Sequence, residues 1–290
     1  MPELPEVETV RRGLFERIIG KVIAEESHDT DKGFPNAPEA VAAFMIGAEV
    51  VAVKRRAKVL LIELSSHYTL MVHLKMTGQL VVISSGDRFG AGHPSDSLVG
   101  ALPDSSTRVT ISFTDGTKLF FNDQRKFGWM KLLPTVEVAH EPFMQKVGPE
   151  PLEDSFTPHL FTERLARRPR TSIKAALLDQ TVLAGVGNIY ADEGLWAAKI
   201  HPQRLVQTLK EDEITALYTE LRAIMNLAIE KGGSSNHTYV NAGGEKGKYM
   251  DFANAYQKTG LPCARCGTPM EKLKVAGRGT HICPHCQVVQ

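Results

Sequence analysis

Val7, Val10, Leu14 and Ile18 fall three to four positions apart, which places one apolar stripe along a helix that ends at Gly20. From 48 to 133 the pattern changes to short alternating runs. Residues 50–53, 59–64, 69–74, 109–113 and 118–121 read as strands, with Asp115-Gly116 the clearest hairpin signal between them. Several such strands after one helix predict a β-sandwich. The stretch 84–106 is rich in Ser, Gly, Asp and Pro and is expected to form a long surface loop inserted between two strands. Residues 135–155, with Pro142, Pro149 and Pro151, read as a linker.

A helical half starts near Phe156. Its clearest helix begins with Glu211, Asp212 and Glu213 at the positive dipole end and aligns Ile214, Leu217, Leu221, Ile224 and Ala228 on one face. It stops at Gly232-Gly233. Two further apolar-patterned segments, 173–183 and 189–200, are separated by Gly185-Val186-Gly187-Asn188, which reads as a helix-turn-helix with Asn188 as N-cap. Free N–H groups at the start of the second helix could bind a phosphate, although a plain helical hairpin explains the same pattern.

Composition adds limits. The chain has 290 residues, 42% hydrophobic and 23% charged, which describes a globular protein of about two domains. No apolar run is long enough to cross a membrane. Net charge is only +1, so bulk electrostatics do not announce a nucleic-acid binder, but basic residues cluster at Lys54-Arg55-Arg56 with Lys58, at Arg125-Lys126, and from Arg164 through Arg167, Arg168 and Arg170 to Lys174.

Both chain ends carry candidate chemistry. The chain opens Met1-Pro2-Glu3-Leu4-Pro5-Glu6. Removal of Met1 would leave Pro2 as an N-terminal secondary amine, and an α-amino group titrates near about pH 8, roughly two units below lysine, so a useful fraction is a neutral nucleophile. Glu3 beside it is a candidate proton donor or acceptor. At the other end, Cys263-x2-Cys266 and Cys283-x2-Cys286, separated by sixteen residues, are all the cysteines present. That spacing is a strong pattern for one structural zinc ion. Two disulfides are the competing account, disfavoured because charged and proline residues follow Met1 where a signal peptide would be apolar, which also points to the cytoplasm. Between the cysteine pairs, residues 274–281 read as a β-hairpin with Arg278 near a glycine-containing tip, placed to reach a phosphate or to be solvated.

Several of these segments together resemble the bacterial formamidopyrimidine-DNA glycosylases. The resemblance is carried by Pro2-Glu3-Leu4-Pro5-Glu6, Arg55-Arg56-Ala57-Lys58, His73-Leu74-Lys75-Met76-Thr77-Gly78, Asp123-Gln124-Arg125-Lys126-Phe127-Gly128, residues 185–191 and the four-cysteine finger, in the expected order along nearly the whole chain. It implies an α+β multidomain protein: an N-terminal β-sandwich catalytic domain flanked by helices (2–134), a linker (135–155), a helix-two-turn-helix DNA-binding domain (156–255) and a C-terminal zinc-finger β-hairpin (256–290). It implies a bifunctional base-excision repair enzyme, monomeric, acting on double-stranded DNA that contains oxidised purines or abasic sites.

The same resemblance implies residue roles. Pro2 would attack the deoxyribose C1′, Glu3 would move protons, and Lys58 would complete the catalytic set while gripping a phosphate. Met76, Arg125 and Phe127 would fill the hole left by the extruded nucleotide, with Arg125 facing the orphaned cytosine. His73, Lys174, Asn188 and Arg278 would bind the DNA backbone. Glu6 and the segment 234–249 are candidates for touching the extruded base. Two departures, the 84–106 insertion and Lys75 beside Met76, bear on substrate range. An endonuclease VIII-type relative acting on oxidised pyrimidines is the nearer alternative, against which Leu4 and Arg125-Lys126-Phe127-Gly128 argue. A non-catalytic zinc-containing DNA-binding protein is the more distant one, and it leaves Pro2 and Glu3 without a purpose.

Overall fold

A computed structural model describes residues 1–234 and 249–289. The chain divides into two compact units, Met1–Gln145 with Ile229–Met250, and Lys146–Ala228 with Asp251–Gln290. Among the described residues no helix is long and apolar enough to cross a membrane.

The first unit begins with α1 (Leu4–Ile18), followed by β1 (Ile23–His28), the short α2 (Pro38–Phe44) and eight further strands. These are β2 (Val50–Arg56), β3 (Val59–Leu64), β4 (Tyr68–His73), β5 (Gly78–Ser84), β6 (Asp87–Gly92), β7 (Thr107–Phe113), β8 (Lys118–Asp123) and β9 (Trp129–Pro134). They form an antiparallel five-stranded sheet of order β1-β7-β8-β5-β6 and a four-stranded sheet of order β2-β3-β4-β9. The period-2 alternation sends Leu60, Ile62, Leu70 and Val72 of one sheet and Leu80, Val82, Ile111 and Phe121 of the other into one core, together with the Val7, Val10, Leu14 and Ile18 stripe. The expected sandwich is therefore present, with α1 as part of its core.

Two segments differ from expectation. Residues 84–106 are not a long surface loop: they supply β6, which pairs with β5 from Gln79↔Gly92 to Ser84↔Asp87, and a 3-10 turn at Asp96–Leu98. That turn drops Leu98 onto Val81 and Phe120, covering the outer face of the five-stranded sheet. The small and polar residues that imitate a loop are needed because this segment lies against neighbouring backbone. Likewise the first half of the expected linker is structured, as a 3-10 turn at Thr135–His140 and α3 (Pro142–Lys146), with Val138, Phe143 and Met144 packed over Val59, Met71 and Leu133.

The second unit holds α4 (Pro158–Ala166), α5 (Ile173–Leu178), α6 (Asn188–Ala197) and most of α7 (Glu211–Glu230). After the short α8 (Tyr249–Phe252), which straddles the division between the units, it ends with the hairpin β10 (Glu271–Val275) and β11 (Arg278–Ile282). α5 stops five residues earlier than the apolar pattern suggests, because the Asp179 carboxylate accepts from the Thr181 N–H (2.9 Å) and closes a turn. The Gln180 amide then donates to the Val186 carbonyl and accepts from the Gly185 N–H, so the connection to α6 contains two turns. In α7 the buried face runs Ile214, Leu217, Leu221, Met225 and Ala228; Ile224 is only half-buried and Met225 takes its place.

Gly13 sits in the middle of α1 because a Cβ there would lie 1.9 Å from the Phe89 ring, which is 2% exposed. The missing side chain lets α1 lie directly on β6. Gly13→Ala should therefore destabilise the protein by about 1–3 kcal/mol through overpacking despite its better helix propensity, read as a lower urea midpoint at unchanged slope.

Candidate active site and nucleic-acid interface

In the first unit, Pro2 and Glu3 are buried at the mouth of α1, with Glu3 only 3% exposed. Glu3 is the N-cap and forms a capping box with Glu6, whose carboxylate accepts the Glu3 N–H at 2.9 Å. The other Glu6 oxygen accepts the Ser234 N–H at 2.8 Å. Both oxygens of Glu6 thus hold backbone and tie the chain start to the segment after α7. Of the other segment assigned to the base, Asn241-Ala242-Gly243-Gly244 lies outside the described residues.

His93 was not among the residues expected at the site. Burial lowers its pKa first, the Met1 amine lowers it further, and Asp123 opposes them. It follows β6 directly and bonds through its backbone N–H to the Gly78 carbonyl (3.0 Å). The signal for it was the Ser85-Gly86 dipeptide between alternating runs, a hairpin mark hidden within a stretch of loop-like composition.

Lys58 lies at the β2–β3 turn, 5% exposed, and its charge helps depress His73, whose pKa falls to about 3 through burial first, then Lys75, then Lys58. His73 Nδ1 accepts the Lys75 N–H at 3.0 Å, which leaves Nε2 as the protonated nitrogen of a neutral ring, a donor with no charge of its own. Met76 is half-buried in the turn after β4. Arg125 and Phe127 project from the exposed loop between β8 and β9, Phe127 being 46% exposed with the Arg125 guanidinium 4.9 Å from its ring centre. Phe127 is therefore not part of the core. Part of the basic clustering is spent internally: Lys54 pairs with Glu63, Arg55 with Glu8 and Arg168 with Asp179.

In the second unit the helix pair and the hairpin come together. Asn188 is the first residue of α6, not its N-cap, which is Gly187; the Asn188 amide instead donates to the Gly279 carbonyl at 3.0 Å. Lys174 corrects a second expectation. It is 0% exposed, and its ammonium donates to Asp192 Oδ1 (2.6 Å), Thr280 Oγ1 (2.7 Å) and the Gly279 carbonyl (3.3 Å). All three N–H bonds are used inside the protein, so Lys174 positions the hairpin and does not grip DNA. Asp192 Oδ2 meets both the N–H and Nδ1 of His281, while the next residue, Glu193, accepts the N–H groups of Asn254, Ala255 and Tyr256. Burial raises the Glu193 pKa and those three N–H groups lower it. Two consecutive carboxylates of α6 thus hold both the approach to the cysteine module and its second strand. Arg278, exposed, opens β11 after the left-handed pair Ala276-Gly277.

The ligand atoms of Cys263, Cys266, Cys283 and Cys286 lie within 4.8 Å of one another. A tetrahedral zinc with bonds of about 2.3 Å requires such a cluster. The Trp196 Nε1–H points at Cys263 Sγ and the Cys286 N–H at Cys283 Sγ, both at 3.4 Å, as suits thiolates that carry charge. The residues fit one structural zinc, which joins two turns and carries the hairpin.

This arrangement, a sandwich with a buried proline at position 2 together with a helix-two-turn-helix and a zinc hairpin, defines a class of DNA-repair glycosylase. Family models match in the same order: the formamidopyrimidine-DNA glycosylase N-terminal domain over 1–130, the formamidopyrimidine-DNA glycosylase H2TH domain over 147–240, and the zinc finger found in FPG and IleRS over 260–288. The formamidopyrimidine-DNA glycosylase of Herpetosiphon aurantiacus is 45% identical, covering 99% of this chain and 100% of its own, and that of Geobacillus kaustophilus is 43% identical over the same shares. Among solved structures, a complex between Lactococcus lactis Fpg and DNA containing an abasic site has a TM-score of 0.86 at 38% identity, over 98% of this chain and 99% of that one. A mutant of the same Lactococcus lactis protein in complex with DNA containing Fapy-dG has a TM-score of 0.87 at 38% identity, over 99% of each chain. The chain belongs to the formamidopyrimidine-DNA glycosylase family.

Two measurements probe these groups. Because the folded pKa of His73 is about 3 and the unfolded value 6.5, the unfolded chain takes up the proton first as pH falls. Stability is therefore lost between those values and unaffected above 6.5. His73→Asn, which keeps an acceptor for the Lys75 N–H, should lose less stability than the parent between about pH 7 and pH 5, by up to about 2 kcal/mol in denaturant titrations. Chelation should release about one zinc per chain and weaken duplex binding by about tenfold or more, measured by metal analysis and fluorescence anisotropy.

Proposed function

We infer that this chain removes oxidised purines from DNA and then cuts the backbone at the resulting abasic site, with Pro2, freed of Met1, as nucleophile. The observation that carries the reading is the burial and capping-box fixation of Pro2-Glu3 at the start of α1 in a chain of this family. The Pro2 nitrogen attacks C1′, the bond from C1′ to the base breaks, and opening of the sugar ring leaves an iminium between the proline nitrogen and C1′. Glu3, held by the helix start, supplies the proton to the departing ring oxygen. The iminium withdraws electrons from the sugar, so a C2′ proton is lost and the bond from C3′ to its phosphate oxygen breaks; a second elimination frees the other phosphate.

Reaching C1′ requires the nucleotide to leave the stack, at a cost of a few kcal/mol. Met76 and Phe127 take the vacated space, and Arg125, adjacent to the Phe127 ring, faces the unpaired partner base. Lys58 and neutral His73 bind phosphate by charge and by the Nε2–H donor respectively, while Asn188 and Arg278 bind backbone from the second unit. The zinc, when bound, supplies no chemistry to this sequence and holds the hairpin that presents Arg278. The segments 2–134, 135–155, 156–255 and 256–290 form the catalytic, connecting, DNA-binding and finger regions, with 135–145 belonging structurally to the first. The bacterial origin of its relatives supports a cytoplasmic location, with the chromosome.

Borohydride trapping on a duplex with 8-oxoguanine opposite cytosine should give a covalent adduct whose mapped peptide begins at Pro2. Fully active protein that retains Met1 by mass spectrometry would overturn the assignment, because the proline nitrogen would then be an amide. An adduct formed only with oxidised pyrimidines would move the substrate to the endonuclease VIII type.

A further inference from the structure

Asp123 ends β8 and is 0% exposed, yet the four residues after it, 124–127, are all exposed. Its carboxylate lies directly beneath that loop. Oδ2 accepts the N–H groups of Phe127 (2.8 Å) and Gly128 (2.7 Å), and Oδ1 accepts the Arg125 N–H (3.2 Å). The remaining donor comes from elsewhere in the sequence: the Thr77 hydroxyl bonds to Oδ1 and itself accepts the Arg125 N–H at 3.1 Å. Thr77 is the residue after Met76.

One carboxylate and one hydroxyl therefore join two loops 46 residues apart. A single buried carboxylate receives the backbone N–H groups of the segment that carries Arg125 and Phe127 and the side-chain hydroxyl of the residue that follows Met76. The Asp123 backbone is fixed as well, its N–H donating to the Ser106 carbonyl (2.7 Å) and its carbonyl accepting from Arg108 Nε (2.9 Å). Gly128 permits this closure, since a Cβ there would lie 2.6 Å from the Phe121 ring and 3.0 Å from the His73 carbonyl. The proposed chemistry at Pro2 uses neither Thr77 nor Asp123.

We propose that Thr77 and Asp123 are a positioning pair that locks the Met76 turn to the Arg125–Phe127 loop, so that the three side chains enter the vacated space as one preformed unit. This rests on the reading of those three as the residues that fill that space. The physical reason is entropic. The loop 124–127 is exposed and makes its contacts with DNA only when the base is out, so a loop free to move would have to be ordered at that moment. Hydrogen bonds to a charged, buried acceptor set that order in advance.

The test separates base extrusion from backbone chemistry. Single-turnover excision of 8-oxoguanine opposite cytosine in a duplex requires the space to be filled; strand cleavage at a preformed abasic site in single-stranded DNA does not. Thr77→Val should slow the first about tenfold, the scale expected for losing one charge-assisted hydrogen bond, and leave the second within about twofold. Thr77→Ser should restore duplex excision. The double variant of Thr77→Val with Asp123→Asn should be no slower than Asp123→Asn alone, because both remove one linked anchor. Duplex excision by Thr77→Val at the parental rate, with Phe127→Ala slowed, would overturn the positioning pair and leave the filling residues in place. Parental rates for both Phe127→Ala and Met76→Ala would overturn the underlying reading and the pair with it. Loss of both activities together with a lowered melting temperature would reduce Thr77 to an ordinary packing residue and reject the proposal.

Discussion

A chain end can serve as a reagent only if something other than preceding residues holds it, and the first turn of α1 meets that constraint. Glu3 and Glu6 cap each other, which satisfies N–H groups that every helix start leaves open. Glu6 uses its second oxygen for the Ser234 N–H, so the start of the chain is fixed to a segment more than two hundred residues away. The helix behind it cannot slide, because Gly13 admits the Phe89 ring and the stripe from Val7 to Ile18 is fully buried. Capping, close packing and burial thus act on one short helix and converge on the position of Pro2.

The second unit uses buried charge for a comparable purpose. Lys174 and Asp192 are both fully buried, an arrangement that costs desolvation and adds little to stability unless each remaining donor and acceptor is matched. Here Thr280, Gly279 and His281 supply the matches, so the pair specifies where β11 lies on α6. Zinc closes the far end of the same module. Arg278 is presented by a hairpin held at its base by metal and along its length by a salt bridge, which allows an exposed arginine to have a defined place.

Much of the architecture was legible in residue pattern. The α1 stripe, the β-sandwich, α7 and the hairpin of the cysteine module follow from periodicity, turn dipeptides and caps, because those signals are local. Misreadings arose where local chemistry conflicted with long-range packing. Residues 84–106 have loop composition because β6 and its 3-10 turn lie against the backbone of β5, where small residues fit; only the folded sheet reveals that Leu98 covers Val81 and Phe120. Lys174 ends a run of basic residues, and nothing adjacent in sequence indicates that its partner is Asp192 on the following helix.

The sequence by itself determined the candidate groups: a proline at position 2 beside a glutamate, four cysteines at metal spacing, and a set of motifs whose order names a family. These depend on covalent chemistry and short spacing, which a chain carries before it folds. Only the tertiary structure decided which polar groups face outward and which act on other residues. His93 is tied to the start of β5 through its N–H bond to the Gly78 carbonyl, Asp123 is buried beneath the loop it anchors, and Lys174 turns inward, because each depends on burial and on partners from distant segments. Hydrogen-bond geometry and desolvation exist only once those segments meet.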